Sequence, residues 1–391
     1  MPPPLNPAQA EHHARLQQIL ARDGVEPWLL AAFERWPRQW FIDHLYLTPP
    51  DVTPTAGDWT AVPPDTRDER LLSRIYDDHA VCLQLADGVG VSSSSQPTLM
   101  AGMLSQLGVA PGARLLEVGA ASGWNAALLA DLAGPAGHVL SLEFDAEMAA
   151  AAQRHLRDAG AERVEVRCAD GVLGAPDAAP FDAIEVTVAC PDLPPAWRDQ
   201  LALGGRLLAP LALPDGSAPL LRLTRAATDA WTGGFQGLTW FVALRGGGLE
   251  AWPPPRPLAS HPAWPTDTGR EHHQDVAVSA ERDAYGFFHL TFWLLASLPD
   301  LVWLETPAGR RRYGLWRDDP PGLAVLTDDQ VHSFGDPEPG RRLTDAVEAW
   351  KVAGAPRLEN YEVRVLAPDE PRPPLALCRP CCRLGLALRG A

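Results

Sequence analysis

The chain has 391 residues, 46% of them hydrophobic and 21% charged, a balance that suits a water-soluble protein of two or more domains. No apolar run reaches the roughly 18 residues a membrane-spanning helix needs, and the opening MPPPLNPAQAEHHARL lacks the basic and apolar stretches of a secretory signal, so a cytoplasmic location is expected. A net charge of -16 argues against nucleic acid as a partner, because that binding draws on basic residues that displace counterions from phosphates.

Residues 1–90 read as a helical lead-in, since LQQILARDG and PWLLAAFERW repeat apolar residues at spacings of three and four. Residues 91–247 alternate short apolar runs with amphipathic ones, the pattern of strand-helix-strand units around a parallel sheet. Expected strands are 115–118, 138–142, 164–168, 183–188 and 206–211; expected helices are 97–107, 125–132, 146–159 and 194–203. Pro97 marks a helix start, because proline at the first helical position loses no needed hydrogen bond. The fold class expected is α/β, a doubly wound sheet. Residues 248–270, with WPPPRPLASHPAWP, read as a proline-rich linker. Residues 271–391 then form an accessory α+β domain, with helices around 287–298 and 343–352 and strands at VWLE, GLAVL and 361–366. The run Cys378, Cys381, Cys382 has a metal-like spacing but lacks a fourth ligand, so no metal site is assigned.

The segment ARLLEVGAASGWNAALLADL ends a strand in a glycine-containing turn and opens a helix, the place where open sheets bind ligands. Its turn does not fit the dinucleotide pattern G-x-G-x-x-G. Acids at three successive strand ends suit S-adenosyl-L-methionine instead, which presents a sulfonium, an ammonium and a ribose diol. Glu117 lies on the first strand near Gly119, Glu143 closes VLSLE where it can accept from both ribose hydroxyls, and Asp170 closes RCADG, placed for the adenine amino group. The plainer alternative is that each acid caps a following helix, as Asp145 is also placed to do.

LLEVGAASGWNAALL resembles the first methyltransferase motif, and the surroundings resemble the protein-L-isoaspartate O-methyltransferase family. Matching pieces are GVEPWLLAAFERWPRQWF, YDDHAVCLQL, SSQP at Ser94–Pro97, APFDAIEVTVACPDLPPAWRDQLALGGRLLAPL and WFVAL at Trp240–Leu244. The likeness spans about residues 15–247 and implies a Rossmann-like class I methyltransferase fold with S-adenosyl-L-methionine as cofactor and S-adenosyl-L-homocysteine as product. It implies cofactor contacts from Glu117, Gly119, Ala121, Ser122, Gly123, Trp124, Glu143, Phe144, Asp170, Gly171 and Thr187. On the acceptor side it points first to Ser95, beside the methyl group and donating to the acceptor carboxylate, then to Ser94 and Asp78. Alternatively, the serine run is a flexible cover, Ser95 caps the next helix, and Asp78 is paired structurally. Three departures stand out. Ala121 replaces a family glycine, which works only if its backbone avoids positive φ, and Trp124 replaces a tyrosine. The family's G-Q-T-I-S becomes VSSSS, with Ser93 and Ser94 in the threonine and isoleucine positions.

A carboxylate acceptor is already ionised near neutral pH and needs no general base, so catalysis can rest on holding the reactants in line. The resulting ester loses methanol readily as a backbone nitrogen closes to a succinimide (aspartimide). C-terminally extended homologues use this chemistry on aspartate in ribosomally made peptides of the graspetide or lanthipeptide type, and the added domain and altered serines suggest this role. The alternatives are general isoaspartate repair and a non-catalytic peptide-binding module on the same fold. The partner expected is a peptide or protein bearing an aspartyl or isoaspartyl carboxylate.

Overall fold

A computed structural model of the chain describes residues 4–48, 52–264, 272–274 (backbone only), 288–327 and 330–389. They fall into two compact units: Met1–Leu211, Leu221–Thr228 and Trp240–Leu249 form the first, and Ala212–Leu220, Asp229–Thr239 and Glu250–Ala391 the second.

In the first unit α1 (Pro7–Arg22) starts on a reciprocal cap between Asn6 and Gln9, and α2 (Pro27–Arg35) follows. Strands β1 (His44–Tyr46) and β2 (Trp59–Ala61) pair antiparallel, then come α3 (Glu69–Tyr76) and the hairpin β3 (Val81–Ala86) and β4 (Val89–Ser94). The lead-in is therefore not wholly helical. The hairpin turns at Asp87 and Gly88, both at positive φ, the conformation an Asp-Gly pair supplies. The core alternation follows as α4 (Pro97–Leu107), β5 (Arg114–Val118), α5 (Trp124–Ala133), β6 (His138–Glu143), α6 (Ala146–Ala159), β7 (Val164–Cys168), β8 (Phe181–Val186), α7 (Pro195–Gln200) and β9 (Leu201–Pro210). These strands run parallel in the order β9-β8-β5-β6-β7. Their order reverses between β5 and β8, so the crevice beyond those two carboxyl ends is the ligand position of a doubly wound sheet. Expected boundaries hold for α4, α6 and β7. The helix expected over 194–203 stops at Gln200, because Leu201 is already extended and begins β9. Trp240–Leu244 does not form a strand; it makes a single parallel bridge at Ala189 and Ala243, with Leu244 N donating to Ala189 O.

The division between units runs through β10 (Ala218–Ala227). The second unit takes in β11 (Ala230–Thr239), earlier than the expected linker, then β12 (Arg256–Pro257), β13 (His272–Gln274), α8 (Phe288–Ser297), β14 (Leu301–Glu305), β15 (Arg311–Arg317), β16 (Gly322–Leu326), β17 (Val331–Gly335), α9 (Glu338–Val352), β18 (Tyr361–Val365), β19 (Ala376–Cys378) and β20 (Arg383–Leu388). Strands β19, β20, β18 and β11 are neighbours in that order, and a separate sheet is ordered β12-β14-β15-β16-β17-β13. The proline-rich stretch is not a free linker. Arg256–Pro257 pairs parallel with β14, and Leu258 is fully buried against Leu304, Leu323, Val325 and Phe334. Phe287, at the start of the expected helix, lies outside the described residues.

Near the carboxyl end, the cysteine run forms the turn between β19 and β20, closed by Arg379 N donating to Cys382 O. Among the described residues no group of three or more His, Cys, Asp or Glu could hold a metal, and no helix is long and apolar enough to cross a membrane.

Candidate active site

The turn after β5 has to bend sharply under a neighbouring strand. Gly119 sits at φ +105, and a Cβ there would meet Thr187 Oγ1 at 2.6 Å; that hydroxyl instead donates to Gly119 O at 2.7 Å. Gly123, at φ +86, is the residue before α5. Ala121 is also in the left-handed region, at φ +44, contrary to the condition stated for an alanine there. What holds it is the next strand: Ala121 N donates to Glu143 Oε2 at 2.9 Å, tying the turn to the end of β6. Trp124 is buried, donates its indole N–H to Trp36 O at 2.7 Å and packs edge-on against Phe33. The indole thus fastens the start of α5 to the lead-in, and Ser122 O lies 3.0 Å from His155 Nδ1 on α6.

This turn is one wall of a cavity that also includes Glu143, Phe144, Gly171, Thr187 and Val188 and reaches the serine run Ser92–Ser95. Glu143 points into it from a nearly buried position, with Arg245 Nη2 3.6 Å from Oε1 and Asp145 N donating to the same oxygen at 3.1 Å. Arg245 lies over the exposed Phe144 ring, 5.7 Å from its centroid. Asp145 caps α6 through Glu147 N and Met148 N, the plainer role considered for it.

On the opposite wall the serines rest on a buried cation. Arg38 is fully buried; its Nε donates to Ser94 Oγ at 3.0 Å and its Nη2 to the carbonyls of Ser94 and Ser95 at 2.8 and 2.9 Å. Further bonds reach Ile75 O and His79 O, and the guanidinium lies 5.2 Å from the Trp124 ring centroid. Burial, together with the charge of Arg74, pushes Arg38 down to about 9, so it stays charged near neutral pH. Ser94 is consequently committed to Arg38. Ser95 is only partly buried and does not cap the helix; Asp78 does that work, accepting from Thr98 N at 2.9 Å, Thr98 Oγ1 at 2.8 Å and Gln96 Nε2 at 2.9 Å. Asp78 is not part of the cavity lining; its carboxylate holds the start of α4.

Two other acids also depart from expectation. Glu117 does not line the cavity: its Oε1 accepts from Asn125 Nδ2 at 2.7 Å and its Oε2 from Ser141 Oγ, on a face of the sheet covered by α5. The same Asn125 nitrogen donates to Glu185 Oε2 at 2.7 Å. Burial pushes Glu117 up to about 8 and Glu185 to about 7. Asp170 is also outside the lining, accepting from Val172 N at 3.0 Å and Gly247 N at 2.8 Å, while Gly171 beside it does face the cavity. For Glu117 side-chain direction is the reason, since successive residues of a strand point to opposite faces; Asp170 lies two residues beyond β7 and caps the short 3-10 turn Gly171–Leu173, the plainer role considered for it.

A family model described as protein-L-isoaspartate(D-aspartate) O-methyltransferase matches residues 67–247. Protein-L-isoaspartate O-methyltransferase 2 of Marinobacter nauticus is 35% identical over 236 residues, which span 60% of this chain and 92% of that protein. Protein-L-isoaspartate O-methyltransferase 1 of Rhodopseudomonas palustris is 35% identical over 247 residues, 63% of this chain and 87% of that protein. The chain belongs to the protein-L-isoaspartate O-methyltransferase family. A solved structure of that name, 22% identical, superposes with a TM-score of 0.55 over 96% of this chain and 99% of its own, showing the same fold.

The protein is therefore an S-adenosyl-L-methionine-dependent protein carboxyl O-methyltransferase with a Rossmann-like methyltransferase fold. The cavity fits that cofactor: a turn in which Gly119 leaves no room for a Cβ runs beside one inward carboxylate, Glu143. Of the expected cofactor residues, Gly119, Ala121, Ser122, Trp124, Glu143, Phe144, Gly171 and Thr187 border the cavity, and Gly123 shapes its turn. Sequence reasoning passed over Arg38, Asn125, Glu185 and Arg245. Only Arg38 carried a visible signal, a lone arginine between Pro37 and the aromatic pair Trp40–Phe41.

Proposed function

We propose that the protein esterifies the free carboxylate of isoaspartyl residues in other proteins, initiating their repair. The single observation that carries this reading is the make-up of the cavity wall. Between the cofactor turn and Ser92–Ser95, the only charged side chains among the described lining residues are Glu143 and Arg245. Among the described lining residues there is no histidine and no acid besides Glu143, which suits an oxygen that needs no deprotonation, namely a carboxylate.

When bound, the cofactor supplies a methyl group on a positively charged sulfur. The chain's own residues orient the partners. Glu143 is placed to accept from ribose hydroxyls while bracing Ala121 N–H, and Thr187 with Val188 closes the far side. Arg38 turns the carbonyls of Ser94 and Ser95 toward itself, so in planar trans peptides the N–H groups of Ser95 and Gln96 point away from the guanidinium. The cation polarises those peptide units and adds positive potential behind the serines, favouring an anionic acceptor held by Ser95. Holding both reactants in line can lower the barrier by roughly 7–11 kcal/mol without acid–base groups. The ester then closes to a succinimide with loss of methanol, a step that needs no protein group.

The peptide-tailoring reading loses half of its support. A C-terminal unit also occurs in the solved structure that bears the repair-enzyme name and covers 96% of this chain, so the extension does not mark a separate role. The serine replacements at 93 and 94 still favour an altered acceptor. The deciding test gives the protein S-adenosyl-L-methionine with matched peptides containing isoaspartate or aspartate and follows methyl ester formation. Turnover confined to isoaspartate supports repair; turnover confined to aspartate in a cyclised precursor peptide would replace repair with tailoring.

A further inference from the structure

Under the cavity floor lie two carboxylates that the reaction above does not use. Glu117 and Glu185 are cross-strand neighbours on β5 and β8, 0% and 1% exposed, and a single amide nitrogen, Asn125 Nδ2, bridges them at 2.7 Å to each. Ser141, in register with Glu117 on β6, donates to its other oxygen, while Glu185 Oε1 is buried with no hydrogen-bond partner. The position paired with Glu185 on β9 is Leu208. The charges acting on Glu117 are Glu185 and Glu143, both acids, and Glu143 is itself paired with Arg245. Two buried negative charges with no cation between them are too costly to coexist, so one proton must stay with the pair. Burial raises both groups into the range where that proton is exchangeable near neutral pH.

The pair is next to the cofactor wall. Asn125 itself lines the cavity, Val118 and Gly119 follow Glu117, and Thr187 and Val188 follow Glu185 by two and three residues. S-adenosyl-L-methionine carries one positive charge more than S-adenosyl-L-homocysteine. A cation in this cavity lowers the proton affinity of acids buried beneath its wall, through a medium that screens poorly.

Resting on the methyltransferase reading, we propose that Glu117 and Glu185 share a proton while the cavity is empty or holds the uncharged product, and give it up to solvent when the sulfonium form binds. The pair is a specificity device: it holds the charged donor more firmly and lets the neutral product go, and it does so more strongly as pH rises. The proton leaves as the sulfonium arrives, so the net charge of the floor and its ligand stays constant.

Isothermal titration of the full chain with each ligand, in two buffers of different ionisation enthalpy near neutral pH, counts the protons released. We expect the sulfonium form to release on the order of half a proton more than the thioether. In Glu185→Gln, whose amide oxygen can still accept from Asn125, that difference should vanish and the preference for the sulfonium should drop about threefold to tenfold. Equal proton release by both ligands in the wild-type chain overturns the inference while leaving the methyltransferase assignment intact. If neither ligand binds, the cofactor assignment falls and this inference with it. The wild-type comparison decides even if the variant folds poorly, and Glu117→Gln offers a second substitution with the same expected outcome.

Discussion

The two walls of the cavity are built in opposite ways. The cofactor wall is made from backbone: Gly119, Ala121 and Gly123 bend the chain between β5 and α5, and its one inward acid, Glu143, is fastened to Ala121 N–H only 22 residues away. The acceptor wall is made from a side chain: Arg38 reaches 56 and 57 residues along the chain to hold Ser94 and Ser95. A wall built on backbone tolerates the loss of a side chain, whereas one hung on a single guanidinium does not.

The largest expected effect follows from that contrast. Arg38→Ala should cost about 3 kcal/mol or more of folding stability, because it removes the guanidinium donors from the carbonyls of Ile75, Ser94 and Ser95. Arg38→Lys restores a cation and some of the bonds, and should fold yet methylate slowly with unaltered affinity for S-adenosyl-L-homocysteine. Urea denaturation and calorimetry check the pair; an Arg38→Ala protein as stable as wild type would mean that the acceptor wall, too, is held by backbone.

The floor shared by both walls comes next. Glu117 and Glu185 bind protons more tightly when folded than the ordinary carboxyl value of 4.5. Between that value and the folded ones the unfolded chain gives up protons the native chain keeps, so stability falls as pH rises across this window. Glu185→Gln should flatten the slope and add about 2 kcal/mol at the alkaline end. Stability that climbs through this window in wild type, with no change in the variant, would show that the pair is ionised.

Glu143→Ala tests the cofactor wall directly. It removes an acceptor for ribose and also frees Ala121 N–H and Asp145 N–H, so S-adenosyl-L-homocysteine affinity should drop about tenfold, or about 1.4 kcal/mol, with folding retained. Affinity unchanged by calorimetry would move the ribose to another group. Ser95→Ala is milder still. A methyl-transfer rate lower by about fivefold, with cofactor affinity untouched, is the outcome for one lost hydrogen bond of about 1 kcal/mol. Full activity would assign the acceptor to the peptide N–H groups that Arg38 polarises.

The same contrast governs what could be read before the structure. Strands and helices from α4 to β7 were legible because glycine turns, Pro97 and period-matched apolar runs are local signals, and Glu143 was legible because an acid closing the second strand has a fixed spacing from the turn. Glu117 was placed on the right strand but on the wrong side, since which face of a strand end meets the crevice depends on twist and on the helix above; Asp170 falls beyond β7, where it caps the turn Gly171–Leu173. Asn125 and Glu185 were invisible, and Arg38 showed only its aromatic neighbours, for a different reason: a buried polar residue is defined by partners far along the chain, which its own neighbourhood does not reveal. The β10–β11 segment misled as well, because its boundary with the second unit falls inside a continuous strand rather than at a proline-rich stretch.

Ala121 is where backbone construction can be sharpened most finely. Its φ of +44 places a Cβ in the left-handed region, which costs an L-residue about 1 kcal/mol relative to glycine. Glycine at this position would remove that strain but give the unfolded chain more freedom, an offset of about 0.4–1 kcal/mol. The two terms nearly cancel, so Ala121→Gly should stabilise the protein by no more than about 0.5 kcal/mol and leave S-adenosyl-L-homocysteine affinity within about twofold. The hydrogen bond from residue 121 to Glu143 is a backbone bond and survives the change. A clear loss of affinity in Ala121→Gly would show that the methyl group holds the turn in register for its ligand, making a side chain, and not the backbone, the element that sets this wall.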